Sequence, residues 1–412
     1  MKLFFTLTIT LLIQLNVAAQ TWTPFNTSNG AMLNNTSEKL ALDANENIWV
    51  GNWGAGISYY DGTVWTLYNT STGDLPSNDI RDLDIDLISG DILVASDAGL
   101  VIYNGVTWNV FNTSNSGIPS NTATSVFVVG SDIWVGTNNG LAKFDGGPTW
   151  TQFTQAADGL PSDVIFGITS DLTGLIWIAT TNGVASFDGV SWTNYNTSNS
   201  GLPADFTKTI SIDVNNTKWV STAGGGLASF DGTIWTTYNI GNSGLPFDEV
   251  NAVSFTSNGD MWVATTGGIG IYDGLSWSTY NSSNSGLIDN GCSDIAIDIN
   301  DNVWVSTWSG GVVLYEPFTS VSIEEISTRQ QDLAVYPNPN NGTFNLKTTQ
   351  NMSDIESLII YDLSGKVVFL DDLTNPNFSG SNEIILNLIP GQYVVKAVSP
   401  RNFLIESFTV IK

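Results

Sequence analysis

The sequence predicts an all-β chain: a seven-bladed β-propeller closed by its own N-terminal strand, followed by a small Ig-like β-sandwich. Three observations carry this reading. A block of about forty residues returns seven times. Each copy holds four short apolar runs separated by Asn/Gly and Asp-Gly turns. Two series of tryptophans mark the copies, and the two series are out of phase.

The clearest copy is Ile133 to Phe153, IWVGTNNGLAKFDGGPTWTQF. Strands are expected at Ile133–Gly136, Leu141–Phe144 and Trp150–Phe153, with a fourth upstream at Thr124–Val129. Runs such as Ile-Trp-Val are apolar throughout, as a sheet covered on both faces requires. Asp61-Gly62, Asn104-Gly105, Asp188-Gly189, Asp231-Gly232 and Asp273-Gly274 have the chemistry of hairpin turns. In blade three, Asp145-Gly146-Gly147-Pro148 is one residue longer. A recurring Asn-Thr-Ser-Asn-Ser-Gly-Leu-Pro loop, as at residues 196–203, joins blades. Its Asn-X-Ser/Thr triplets are read as turn formers.

The second-strand position is Trp49, Leu93, Trp134, Trp177, Trp219, Trp262 and Trp304; the ends lie 255 residues apart over six steps, a period of about 42–43. The last-strand series is Trp22, Trp65, Trp108, Trp150, Trp192, Trp235 and Trp277. The seventh copy, Val303 to Pro317, stops before its last strand, and Trp22 to Asn26 supplies one. Closing the ring this way removes the open sheet edge. Pro24 suits an outermost strand, where a missing donor is tolerated. Deleting residues 21–30 is expected to open the ring.

The chain has 412 residues, 39 acidic and 12 basic, for a net charge of −27. That field opposes nucleic acid and anionic lipid. There is no histidine, which removes the commonest general base and zinc ligand. The single cysteine, Cys292, reads as a small buried residue. Residues 1–19 read as a signal peptide: Lys2, an apolar stretch from Leu3 to Leu15, then Val17-Ala18-Ala19. Beyond it no segment is apolar enough to span a membrane. The propeller is assigned to 20–317, a linker to 318–332 and the C-terminal domain to 333–412.

The blade pattern of Trp-hydrophobic-Gly-Thr, Gly-Leu, Asp-Gly and Trp-Thr resembles the two-component regulator propeller family. In that family the propeller often forms the sensor ectodomain of a membrane-bound histidine kinase. Neither a kinase nor a DNA-binding module is seen here, so only the ligand-binding or scaffold role is implied. The C-terminal domain resembles the type A sorting domain of the type IX secretion system of Bacteroidetes. The matching residues are Tyr336-Pro337-Asn338-Pro339, Gly342 with Phe344, Asp362 to Val368 with Gly365 at its turn, and Pro390-Gly391-Gln392-Tyr393. The resemblance implies export by that machinery, its expected partner, and an extracellular or outer-membrane-surface location.

No catalytic constellation emerges. Asp79, Asp163, Asp205 and Asp248 recur at one blade junction, which points to structure rather than catalysis. No cofactor is expected. Asp43-X-Asn45-X-Asn47 and Asp298-X-Asn300-X-Asn302 alternate oxygen ligands as calcium loops do, but lack the distal glutamate, and a turn is the preferred reading over structural calcium. Loops between second and third strands should line one face near the channel. Two carry an indole: Asn52-Trp53-Gly54 and Thr307-Trp308-Ser309. Trp53, Trp308, Asn52 and Ser309 are the candidate ligand-binding residues, with a glycan or a surface protein as ligand. The alternatives are an adhesive surface scaffold and a carboxylate-based glycan lyase or hydrolase.

Overall fold

The computed structural model describes residues 21–32, 34–147, 149–317, 333–341, 343–348, 357–362, 367–372, 383–385, 388, 390–399 and 402–410. The expected signal peptide and linker, Gly342 and Gly365 lie outside the described residues. Two compact units form, Met1–Thr319 and Ser320–Lys412.

The first unit is seven four-stranded antiparallel sheets. The N-terminal strand is β1 (Thr21–Phe25). Blade one is β2–β5 (Ser37–Leu42, Ile48–Asn52, Gly56–Tyr60, Trp65–Tyr68) and blade two β6–β9 (Ile80–Ile85, Ile92–Ser96, Gly99–Tyr103, Trp108–Phe111). Blade three is β10–β13 (Ala123–Val129, Asp132–Thr137, Gly140–Phe144, Trp150–Phe153). A four-residue helix, α1 (Gln155–Asp158), follows it. Blade four is β14–β17 (Ile165–Ser170, Ile176–Thr180, Gly183–Phe187, Trp192–Tyr195) and blade five β18–β21 (Thr207–Ile212, Lys218–Thr222, Leu227–Phe230, Trp235–Tyr238). Blade six is β22–β25 (Val250–Phe255, Met261–Thr265, Gly268–Tyr272, Trp277–Tyr280); blade seven begins with β26–β28 (Cys292–Ile297, Val303–Thr307, Gly311–Glu316). The first strands of neighbouring blades contact one another all the way round, so they form the inner ring.

Closure follows the phase of the tryptophans. β1 pairs with β28 from Thr21↔Glu316 to Phe25↔Val312 and completes blade seven. Trp22 sits edge-on to Tyr280 and Tyr315, and Phe25 stacks on Trp304 with centroids 5.5 Å apart. Cβ growth at Gly286 would come within 2.2 Å of the Trp22 Cβ; Gly117, Gly201 and Gly244 meet Trp150, Trp235 and Trp277 at 2.2–2.4 Å. The Ser-Gly-Leu/Ile step of these four linking loops is thus a seat for the next outer tryptophan.

The second-strand tryptophans are buried between blades. Trp49, for example, packs with Leu83, Ile92 and Val101 of blade two. Full burial of one indole is worth about 4–6 kcal/mol of transfer free energy. The aspartate six residues before explains part of the repeat. The indole Nε1 of Trp49, Trp177 and Trp219 donates to Asp43, Asp171 and Asp213 at 3.4, 3.3 and 3.0 Å. Blade three has Val128 there, and Trp134 Nε1 is left without a partner. Asp43 also accepts from the amides of Asn45 and Asn47, so the loop closes as an Asx turn.

The linking loops behave as turn chemistry demands. Asn196 Oδ1 accepts from the Ser198 amide, and Asn199 bridges Asn196 N and Asn194 O. Between blades three and four the sequence Thr154-Gln-Ala-Ala-Asp-Gly159 makes α1 instead, capped by Thr154 and ended by left-handed Gly159. The junction aspartates accept from the loop amide eight residues earlier, Asp163 from Gln155, Asp205 from Thr197 and Asp248 from Ile240. After blade one that role falls to Asn78, not the expected Asp79.

The second unit contains β29, β30 and β33 (Leu333–Tyr336, Thr343–Thr348, Glu383–Ile385) in one sheet. Its other sheet is ordered β32-β31-β34-β35 (Val367–Asp372, Ser357–Asp362, Gly391–Ser399, Asn402–Val410). Val335, Phe344 and Leu346 from the first meet Leu358, Ile360, Tyr393 and Val395 from the second in one core, the packing of a small sandwich.

Candidate functional site

Each inner strand has an irregular register just after its first residue. In β2 pairing jumps from Ser37 to Lys39, in β6 from Ile80 to Asp82 and in β10 from Ala123 to Ser125. The same happens in β14, β18, β22 and β26. A bulge leaves a residue unpaired and re-aims its side chain. The skipped residues are Glu38, Arg81, Thr124, Phe166, Lys208, Asn251 and Ser293, one from each blade, with Thr209 also passed over in β18. All seven line a single cavity of about 260 Å³.

This ring differs from the tryptophan and glycine columns of the repeat, which carry one residue type in most blades because they hold the blades together. Here an acid, two cations, a phenyl ring, an amide and two hydroxyls occupy equivalent places. The small polar members tie blades together: Thr124 Oγ1 donates to Ile165 O, Asn251 Nδ2 to Cys292 O at 2.7 Å and Ser293 Oγ to Ser37 O at 2.6 Å. The cations are held in place. Arg81 pairs with Asp97 through Nε and Nη2, and Lys208 donates to Glu249 and, at 2.8 Å, to Asn251 Oδ1.

Trp53 and Trp308 both line this cavity, and their side chains are 44% and 40% exposed. Each indole leans on one support. The Arg81 guanidinium lies 4.8 Å from the Trp53 ring centroid. Trp308 rests on Gly291, where a Cβ would approach its Cε3 to 3.0 Å. Across the ring Phe166 and Phe206 meet with centroids 5.0 Å apart, and both line the cavity.

Asn52 and Ser309 are not lining residues, which corrects the sequence expectation. Asn52 is fully buried, and its amide donates to Val50 O, Gly56 O and Ser58 Oγ. Its column holds Ser96, Thr137, Thr180, Thr222, Thr265 and Thr307, whose hydroxyls donate to the carbonyl of the glycine at the start of the next strand or, for Thr222, just before it. Asn52 is blade one's version of that clasp. Ser309 gives both its amide and hydroxyl to Asp289, which also accepts from Gly291 N. The Asp289 contacts fix the loop that carries Trp308.

Deeper along the inner strands, Asp82 Oδ2 accepts from Val126 N, Asp84 Oδ2 from Val128 N and Asp294 Oδ2 from Leu40 N, each joining adjacent blades. Burial pushes Asp82 up to about 6 and Asp84 up to about 7. Burial lowers Lys39, but Asp294 and Asp82 outweigh it and leave the ammonium above its ordinary value. Cys292 is buried, and burial pushes its thiol far up, as an inert core residue requires.

In the second unit, Asn338 Oδ1 accepts from Thr409 N at 2.8 Å, and Asn340 N donates to Thr409 O. The Tyr336-to-Pro339 segment is thereby strapped to the last strand. Tyr393 is buried in the core, while Tyr336 is 46% exposed. Residues 334–411 match the model of the secretion system C-terminal sorting domain. The tail is a sorting domain. It marks the protein for secretion to the cell surface. None of the curated proteins matches the sequence.

Among solved structures, the chain resembles an extracellular domain described as that of a hybrid two component system from B. thetaiotaomicron. That match has a TM-score of 0.63 and 18% identity, and covers 95% of this chain and 57% of the other. A second such domain from B. thetaiotaomicron matches with a TM-score of 0.58 and 19% identity, over 80% of this chain and 44% of the other. The chain therefore spans about half the length of these domains. Catalytically inactive virginiamycin B lyase from Staphylococcus aureus, a His-to-Ala variant solved with Quinupristin, matches at 0.59 with 12% identity over 73% of this chain and all (100%) of the other. These likenesses establish the propeller fold. No helix among the described residues is long and apolar enough to cross a membrane.

Proposed function

We propose that the sorting domain delivers a non-catalytic binding propeller whose channel mouth holds the end of a saccharide chain. The observation that carries this is the ring of seven bulge residues, different in every blade, converging on one cavity beside Trp53 and Trp308. Flat, half-exposed indoles suit the apolar faces of sugar rings, and the polar members of the ring offer donors and acceptors for hydroxyls. A volume of about 260 Å³ is below the ~300–1,000 Å³ of drug-sized pockets, which favours a chain terminus over a long internal stretch. Absence of catalysis is supported by the absence of histidine. The lyase of similar fold is inactive once a histidine is replaced.

A surface scaffold is the second reading, and one observation favours it. The hairpins opposite the cavity face carry exposed aliphatic side chains, among them Val106 (84%), Val190 (90%) and Leu275 (94%).

The test is a binding screen of the full secreted chain against oligosaccharides, with Trp53→Ala and Trp308→Ala proteins beside it. Saturable binding that weakens at least about tenfold in both variants, at unchanged melting temperature, is the expected result. Binding that survives both substitutions places the site elsewhere. No binding to any glycan favours the scaffold, and capture of surface proteins then becomes the relevant assay.

A further inference from the structure

Between Thr21 and Pro317 the chain has five basic residues: Lys39, Arg81, Lys143, Lys208 and Lys218. Two serve the blades themselves. Lys143 pairs with Asp132 and lies over Trp134; Lys218 pairs with Asp171 and lies over Trp177. The remaining three all line the cavity, where the only acidic lining residue among the described residues is Glu38. Three cations and one acid thus line the cavity of a chain of net charge −27, and Arg81 and Lys208 are each paired with a carboxylate, Asp97 and Glu249. The partner acids Asp97 and Glu249 flank the cavity without lining it.

Both outer cations keep donors in hand. Arg81 engages Asp97 through Nε and Nη2, and its Nη1 has no hydrogen-bond partner among the described residues. Lys208 gives two bonds, to Glu249 and Asn251, and an ammonium has three protons. Lys39 is buried, and the charges of Asp294 and Asp82 hold its ammonium above its ordinary value. The flanking carboxylates hold the two outer cations in fixed geometry, which suits recognition of an anion beside an aromatic platform.

We propose that the ligand is an anionic saccharide, a sugar bearing carboxylate or sulfate, with the anion met by Arg81 and Lys208 and the ring lying against Trp53 or Trp308. This inference rests on the saccharide reading above. It also gives the cations a task the fold does not require, since the equivalent bulge positions in other blades hold uncharged residues or, in blade one, an acid.

The experiment is calorimetric titration of the full secreted chain at about 0.15 M salt, where charges beyond about 8 Å are screened. The probes are uronate oligosaccharides, their carboxyl-reduced neutral counterparts, and sulfated oligosaccharides. Arg81→Gln and Lys208→Gln are compared with Lys143→Gln, a loss of the same charge outside the cavity. The expected result is at least tenfold tighter binding of one anionic class than of the neutral counterpart, lost in Arg81→Gln and Lys208→Gln and kept in Lys143→Gln. Whether uronate or sulfate binds identifies the anion. Neutral and anionic probes bound equally, or anion binding unchanged in both cavity variants, overturns the anion proposal and leaves the saccharide reading standing. No binding of any saccharide overturns both. Should Arg81→Gln fail to fold, Lys208→Gln and the reduced probe on the unaltered protein decide the same question.

Discussion

The seam between the chain ends can be tested with one side chain, Phe25. Its ring stacks on Trp304 of its own blade at 5.5 Å and meets Tyr60 and Trp65 of blade one at 5.4 and 5.6 Å. Phe153 occupies the same place in blade three: Trp134 at 5.7 Å, Phe187 at 5.3 Å and Trp192 at 5.8 Å. Both rings are half-buried. Truncating either to alanine removes about 100 Å² of buried apolar surface, about 2.5 kcal/mol. Three aromatic pairs at about 0.5 kcal/mol each, the low end of the usual range, bring the local loss to about 4 kcal/mol. In a chain of this size that lowers the melting temperature by about 8–12 °C. Phe153→Ala should stop there, because its strand is continuous with the rest of its blade. Phe25→Ala should lose more, because β1 is joined to blade seven only by its ladder with β28 and by side-chain contacts. Calorimetric melting and limited proteolysis below the midpoint measure both. The variant at the seam should be cut first near residues 21–30. Equal melting temperatures with no early cleavage there would refute the seam as the weakest joint.

Two further outcomes follow from the inner ring. Burial raises Asp84 from its ordinary value to about 7, so the folded state holds its proton more tightly than the unfolded chain does. Its contribution is therefore complete below about pH 4 and is lost as pH rises toward 7. Asp84→Asn should remove that slope and gain a few kcal/mol over the parent between pH 4 and 7, at about 1.4 kcal/mol for each pH unit, in melts across that range; parallel curves would contradict it. Gly291→Ala places a methyl 3.0 Å from Trp308 Cε3 and should displace the indole by a few tenths of an ångström. With fluorotryptophan NMR, the Trp308 resonance, assigned by Trp308→Phe, should shift while the melting temperature moves by less than about 2 °C; an unmoved resonance would show that the indole is not seated on Gly291.

The blades, their number and their closure were legible because bulky landmarks recur at fixed spacing. Trp49 through Trp304 and Trp22 through Trp277 announce second and last strands, and their offset announces β1 as the missing strand. The two exposed indoles were legible for the opposite reason, as bulky residues in loops that are otherwise small. The ring beneath them was not. Glu38, Arg81 and Phe166 sit on bulges, where strict alternation fails, and on inner strands that carry no tryptophan to set the frame. Aligning the seven inner strands on the residue before each bulge (Ser37, Ile80, Ala123, Ile165, Thr207, Val250 and Cys292) would have exposed a column that never repeats. Asn52 misled because an amide replaces the usual hydroxyl, and only the hydrogen bond to Gly56 O shows that the job is the same.

The ladder between Thr21 and Glu316 has a meaning for synthesis as well as for stability. β1 leaves the ribosome without its partner, and almost the whole propeller must follow, across 295 residues of sequence, before the two can pair. The residues that match the sorting domain begin only at 334. A chain broken off anywhere before β28 is therefore defective twice over, with β1 unpaired and its address missing. The strand that closes the ring is made before the sorting domain, so a chain too short to close the ring also lacks its address for export.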